Sequence, residues 1–160
     1  MFVISTENFS VWKKKQILKG GDNKSLSLLI DLLGGLSTKE LSLLKIKSEK
    51  NLRLKLDLDS LEYFWDKHLS TFTPIQYLSG FSYWRDLKLE VSNKVLIPRP
   101  ETELIIEIVS EIFKNKEEQI TYVDLGTGSG AIGIALALSN PRWNGVATDI
   151  DKNAIEIASR

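Results

Sequence analysis

The run Val123-Asp124-Leu125-Gly126-Thr127-Gly128-Ser129-Gly130 constrains the fold more than any other stretch of the 160-residue chain. The apolar run Ile120 to Leu125 reads as a strand, the glycines as a turn, and Ala131 to Leu138 as a helix. A turn at Asn140-Pro141, a second strand at Gly145 to Asp149 and a helix opening near Asn153 complete the order. Two strands joined through a helix pair in parallel, because a tight hairpin can only bring the chain back antiparallel. This part of the chain is therefore predicted to be α/β, the start of a Rossmann-like parallel sheet.

The chain before it has a different texture. Apolar positions recur at helical spacing at Phe9 and Trp12, at Leu26, Leu29, Ile30 and Leu33, and at Leu58, Leu61, Trp65 and Leu69. Gly20-Gly21 and Gly34-Gly35 fall where helices would stop, and Ser37 with Glu40 has the spacing of a capping box. An all-α helical bundle is predicted over residues 1–73. Leu52, Leu54, Leu56 and Leu58 alternate with charged residues as a strand would, while Leu54, Leu58, Leu61 and Trp65 fit a helix, so 52–56 is compatible with either. Thr73-Pro74 predicts an N-cap and a proline at the first helical position of a short helix closed by Gly80. Two extended runs, around Tyr83 to Val91 and Lys94 to Ile97, flank Ser92-Asn93 and predict a β-hairpin. Leu104, Ile105, Ile108, Val109 and Ile112 predict an amphipathic helix within Glu101 to Phe113, and Lys114 to Gln119 a polar connection. The predicted organisation is a helical domain at 1–73, a helix and hairpin linker at 74–98, and the α/β portion at 99–160.

Composition narrows the class further. With 42% hydrophobic and 26% charged residues the chain is globular rather than disordered, and one of this size hides roughly 70% of its unfolded surface on folding. It has no cysteine, which excludes disulfides and thiolate metal sites. The longest apolar run, Ala131 to Leu138, falls far short of the ~18 residues of a membrane span, and Met1 to Glu7 lack the features of a secretory signal. A cytoplasmic protein is the expectation. The 21 basic and 21 acidic side chains cancel, so no global field favours nucleic acid. Residues 1–70 carry 12 basic and 9 acidic groups, and residues 71–160 carry 9 and 12.

Where a first strand hands over to a helix, backbone amides gather at the helix N-terminus and glycines let a ligand approach without a Cβ in the way. A nucleotide-like cofactor suits such a turn. Gly128, Gly130 and Gly133 also spell the dinucleotide pattern G-x-G-x-x-G, which on its own is a weak signal. Asp124 at the strand end argues for S-adenosylmethionine, which carries an ammonium and a sulfonium and no phosphate. A pyrophosphate there would meet a like charge, at a cost on the order of 4 kcal/mol for a separation of about 4 Å and an effective dielectric of about 20. Asp149, at the end of the second strand, can accept from ribose hydroxyls and suits either cofactor. Glycine turns also simply connect strand to helix, but Asp124, G-x-G-x-G and Asp149 in this order favour binding.

Four pieces of the sequence together resemble one family. Pro74-Ile75-Gln76-Tyr77-Leu78-Ser79-Gly80, Val95-Leu96-Ile97-Pro98-Arg99-Pro100-Glu101-Thr102-Glu103, Asp124-Leu125-Gly126-Thr127-Gly128-Ser129-Gly130 and Asp149 are similar to the release factor glutamine methyltransferases. The resemblance covers at least residues 74–160, and the helical half is similar in kind to that family's N-terminal domain. Pro98 to Glu103 is its most specific part, because sister enzymes that methylate a ribosomal protein differ after the Pro-Arg. The resemblance implies a class I methyltransferase that uses S-adenosyl-L-methionine to methylate the glutamine side-chain amide in the Gly-Gly-Gln tip of class I peptide chain release factors. It implies that Gly126, Thr127, Gly128, Ser129 and Gly130 line the methionine and adenosine moieties and that Asp149 holds the ribose. Arg99, Pro100, Glu101, Thr102 and Glu103 would border the cofactor mouth, although a solvated helix start would also favour acids there.

The family's reaction centre, an Asn-Pro-Pro-Tyr motif after a later strand, does not occur in this sequence, and Asn140-Pro141-Arg142-Trp143 lies in the wrong connection. An amide nitrogen is a poor nucleophile that must be aligned with the methyl group, and such positioning can supply about 7 to 11 kcal/mol of a barrier. These 160 residues are therefore expected not to catalyse, and a parallel sheet of two strands is expected to leave apolar edges, as in a fragment of a larger protein. Two other readings compete: a nicotinamide-dependent oxidoreductase fragment, and a non-catalytic module that docks a protein through residues 1–73. His68 reads as a surface or helix-end residue, Lys13 to Lys15 as a solvated helix face, Phe9, Trp12, Phe64 and Trp65 as core, and Tyr83 and Trp84 as packing between the halves.

Overall fold

Of the alternating leucines between 52 and 58, Leu52 and Leu54 lie in a strand, Leu58 opens a helix, and Leu56 lies in the bend between them. The computed structural model describes residues 1–44, 50–114 and 119–160. Its chain divides into two units, Met1–Ser79 and Gly80–Arg160. In the first, β1 (Phe2–Ser5) pairs antiparallel with β2 (Asn51–Leu54), placing Ile4 opposite Leu52 and Phe2 opposite Leu54. Between them run α1 (Thr6–Lys19), α2 (Asn23–Leu29) with a π-helical continuation over Ile30–Gly34, and α3 (Thr38–Leu43). Leu52 and Leu54 are buried, and the helical period takes over in α4 (Leu58–Thr71), capped by Asp57, whose side chain accepts from the Ser60 amide. The expectation of an all-α first domain is thus corrected by this two-stranded sheet. Phe2 and Val3 are exposed, so β1 shows no alternation of apolar and polar residues to betray it.

The predicted helix boundaries follow their chemistry. Gly20 and Gly35 are C-caps, and Ser37 and Glu40 form the reciprocal capping box of α3. The short α5 (Ile75–Ser79) begins one residue later than predicted, with the Pro74 carbonyl accepting its first amides, and Gly80 follows at φ +78°. Phe9, Leu26, Leu29, Ile30, Leu61 and Trp65 fill the core. The Trp65 indole N–H donates to the Gln16 carbonyl at 3.1 Å, and Gly21 (φ +78°) passes so close that an added Cβ would stand 2.7 Å from that ring. Lys15 is not purely solvated: its Nζ lies 3.1 Å from Glu62, which also receives Lys19 at 2.6 Å and the Gln16 side-chain amide at 3.0 Å. His68 Nδ1 lies 2.8 Å from the Thr73 carbonyl at the end of α4, and its ring tilts against Trp65.

The second unit opens with a hairpin placed earlier than predicted. β3 (Phe81–Trp84) pairs with β4 (Leu87–Glu90), so the turn is Arg85-Asp86, not Ser92-Asn93, and 94–97 is not a strand. Arg85 adopts a left-handed φ of +50° that its residue type does not advertise, and its guanidinium reaches Glu107 at 2.6 Å. Trp84 sits in the core of this unit with Leu89, Ile106, Ala131, Ala135 and Leu136, and its indole N–H donates to the Arg99 carbonyl at 2.9 Å. Tyr83 on the same strand is half exposed. A 3₁₀ turn (Pro100–Thr102) leads into α6 (Glu103–Phe113), and the polar connection expected beyond Lys114 lies mostly outside the described residues.

The strand, helix, strand order follows as read. β5 (Thr121–Leu125), α7 (Ala131–Ser139), β6 (Asn144–Thr148) and α8 (Lys152–Ala158) come in succession, and β5 and β6 are parallel with Val123 beside Val146. One face of the pair turns Tyr122 and Asp124 toward α7, while Val123, Leu125 and Val146 on the strands remain 57%, 79% and 54% exposed. On α6, Ile106 is buried while Leu104, Ile108 and Ile112 are exposed. Among the described residues no helix is long and apolar enough to cross a membrane.

Candidate functional site

The turn between β5 and α7 is built by three left-handed glycines, with φ of +74° at Gly126, +56° at Gly128 and +80° at Gly130. Such a run needs residues without a Cβ. A Cβ added at Gly126 or Gly128 would meet nothing within 4 Å, so the backbone there borders open space, whereas at Gly130 it would stand 2.8 Å from Ile134. At Gly126 and Gly128 the backbone is thus open to an approaching ligand.

Hydrogen bonds fix the turn to both strands. The Gly126 and Thr127 amides donate to the Thr148 carbonyl at 2.8 and 2.9 Å, and the Gly130 amide to the Thr127 carbonyl at 2.9 Å. The Gly128 amide donates to Asp149 Oδ2 at 2.9 Å, while Asp149 Oδ1 accepts from the Asp151 amide at 3.0 Å. These backbone donations, from Asp151 first and Gly128 second, hold the Asp149 carboxyl below its ordinary range. The expected ribose acceptor therefore stands at the second strand's end, ionised, partly exposed and in contact with the glycine turn.

Asp124 is placed differently. Its Oδ2 accepts the Thr127 hydroxyl at 2.7 Å and the Gly133 amide at 3.1 Å. Gly130 has no side chain with which to cap α7, so the third amide of the helix finds its acceptor on the preceding strand. Thr127 and Ser129 are both buried. Behind them the Tyr122 hydroxyl donates to the Gly133 carbonyl at 2.7 Å, and burial together with the Asp124 charge pushes its ionisation up. Thr127 as a hydroxyl donor and Gly133 as a point of close approach were not read from the sequence. An acid three residues before a threonine in a glycine turn is the signal that could have shown the first. Of the segment Arg99 to Glu103, the structure shows ties to the hairpin: the Arg99 carbonyl to Trp84, and Glu103 Oε1 accepting from the Arg85 amide at 3.4 Å. Among the described residues no cluster of histidines or acids is arranged to hold a metal ion.

The methyltransferase small domain family matches residues 101–160, which include the glycine turn and Asp149. A release factor glutamine methyltransferase of Prochlorococcus marinus is 39% identical over 155 residues, 96% of this chain and 53% of that protein. One from Streptococcus pneumoniae is 32% identical over 150 residues, 94% of this chain and 52% of its own length. One from Lactococcus lactis is 44% identical over 93 residues, 58% of this chain and 34% of its own. The chain spans about half the length of the two relatives matched over most of it. By sequence, the chain is similar over most of its length to release factor glutamine methyltransferases, and its residues 101–160 match the methyltransferase small domain.

Proposed function

We propose that the chain supplies the S-adenosyl-L-methionine site of an enzyme that methylates the side-chain amide of the Gly-Gly-Gln glutamine in class I peptide chain release factors. The observation that carries this reading is the clear space over Gly126 and Gly128, bounded by the ionised Asp149 that already touches the turn. The bound cofactor supplies an activated methyl group on a positively charged sulfur. Gly126, Thr127, Gly128, Ser129 and Gly130 would hold its methionine and adenosine parts, and Asp149 its ribose hydroxyls once a ligand competes for the carboxylate. Asp124 supports this turn, and Arg99, Pro100, Glu101, Thr102 and Glu103 would form the mouth.

The helical unit, with its excess of basic residues, would meet the protein substrate in the cytoplasm. The exposed Val123, Leu125 and Val146 on the sheet and Leu104, Ile108 and Ile112 on α6 are the surfaces that further strands and helices of a longer relative would cover. The 160 residues contain no Asn-Pro-Pro-Tyr segment to align the amide nitrogen, so binding and transfer are separable. Incubated with methyl-labelled cofactor and a class I release factor, these residues alone are expected to label nothing. Joined to the half of a relative that bears Asn-Pro-Pro-Tyr, they are expected to label the glutamine. Label transfer by the 160 residues alone, or none by the joined protein, contradicts the proposal.

A further inference from the structure

We infer that Asp124 is a positioning residue: its carboxylate holds the glycine turn and the first turn of α7 through Thr127 and Gly133, and it selects no ligand by its own charge. This rests on the cofactor reading above and replaces the charge repulsion by which the sequence argued for a methyl donor. A single oxygen, Oδ2, receives both the Thr127 hydroxyl at 2.7 Å and the Gly133 amide at 3.1 Å. The two donors lie on either side of the Gly128 to Gly130 segment in sequence, so one atom fixes where that segment begins and where the helix takes over.

The surrounding sequence is fitted to this clamp. Gly130 cannot cap α7 itself, and Gly133 is a glycine where an added Cβ would stand 3.0 Å from the same Asp124 oxygen. Thr127 is only 8% exposed, so its hydroxyl has the carboxylate as its partner in place of water. Its backbone amide is tied to Thr148 at 2.9 Å, so the clamp also reaches the strand that carries Asp149. Releasing Asp124 would free Thr127 and Gly128, and with Gly128 the amide that meets Asp149. The ligand's space lies over Gly126 and Gly128, whereas every bond found for the Asp124 side chain runs to the turn or the helix.

Positioning and charge recognition separate in a binding experiment with two probes. S-adenosylmethionine carries ammonium, sulfonium and carboxylate groups, whereas 5′-methylthioadenosine keeps the nucleoside and sulfur without any charge. Calorimetric titration of the protein expressed from its gene is run on wild type, Asp124→Asn, Asp124→Ala, Thr127→Val and Thr127→Ser. Asn and Ser keep the acceptor and the hydroxyl, so both are expected to bind within about threefold of wild type. Ala and the isosteric Val cut the clamp and are expected to weaken both probes by about tenfold, the scale of one hydrogen bond to a charged group. Val packs as threonine does, so a purely structural role would rank Val above Ser, the reverse of this expectation. Should Asp124→Ala fail to fold, the Thr127 pair carries the same distinction. Loss of S-adenosylmethionine binding in Asp124→Asn with methylthioadenosine unaffected, or gain of NADH binding in that variant, overturns the inference in favour of charge recognition. If wild type binds neither probe, the cofactor reading fails, and the inference with it.

Discussion

Tyr122 lies across Gly145 on the neighbouring strand, where an added Cβ would strike its ring, and its hydroxyl reaches into α7 to the Gly133 carbonyl at 2.7 Å. Strand, helix and adjacent strand therefore meet at one aromatic side chain. Gly145→Ala is expected to displace the ring and destabilise the unit by about 1–3 kcal/mol, the usual cost of overpacking. Urea unfolding followed by tryptophan fluorescence measures it, and an unchanged midpoint would show that Tyr122 can move aside freely. At this scale the sequence reveals what repeats in known chemistry and hides what depends on contact. The left-handed turn at Gly126, Gly128 and Gly130 is legible because only glycine takes a positive φ at little cost, and the place of Asp149 at the end of the second strand is legible from the element order. The bonds of Asp124 to Thr127 and Gly133 are not legible, since an acid beside a glycine turn can face a ligand or the fold, and only coordinates distinguish the two.

Among the elements, α1 and α4 are joined by charge as well as by Trp65. Lys19 bonds Glu62 at 2.6 Å and Asp66 at 2.7 Å, and Lys15 bonds Glu62 at 3.1 Å. The hydrogen bond from Lys19 is the largest influence holding Glu62 down to about 2 from its ordinary 4.5, with burial opposing it and Lys15 adding to it. A carboxyl whose folded value is depressed contributes stability that is fully present above about 4.5 and lost as the pH falls through about 2. Glu62→Gln is therefore expected to be less stable than wild type at neutral pH and to lose less stability on acidification through that window. Thermal midpoints of both proteins across the range test this, and parallel acid limbs would remove Glu62 from the account. Element types are legible where a period runs long enough, as in α4 and α6. β1 escaped because four residues with an exposed Phe2 and Val3 carry no periodic signal, and the hairpin was misplaced because Arg85 takes a left-handed φ of +50° without being glycine or asparagine.

Across the whole molecule the two units differ in how completely they cover themselves. The first buries Trp65, Leu61, Leu26, Leu29 and Ile30 to the point of zero exposure. The second leaves one face of its two-stranded sheet and a stripe of α6 open, with Leu125 at 79% and Ile112 at 64% exposure. Local opening follows such differences in burial. Hydrogen exchange on the 160 residues alone is expected to show protected amides in Met1–Ser79 and fast exchange over residues 120–160. Uniform protection throughout would mean that the sheet is already complete as it stands. The change from a leucine-rich helical half to the glycine turn suggests a division of the chain, which the sequence alone draws as three parts, 1–73, 74–98 and 99–160, where the contacts give two units. The exposure of the sheet followed from counting its strands, and the point of division, after Ser79, required the contacts themselves.

The glycine turn and Asp149 are together proposed as a site for a charged methyl donor. Calorimetric titration with S-adenosylmethionine and, separately, NADH, on wild type, Gly128→Val and Asp149→Ala in a chain joined to its complementary half, tests it most directly. Wild type is expected to bind S-adenosylmethionine saturably and to give no heat with NADH, and either variant to bind at least tenfold more weakly, by about 1.4 kcal/mol or more. Equal binding by all three proteins, or a preference for NADH, would contradict it.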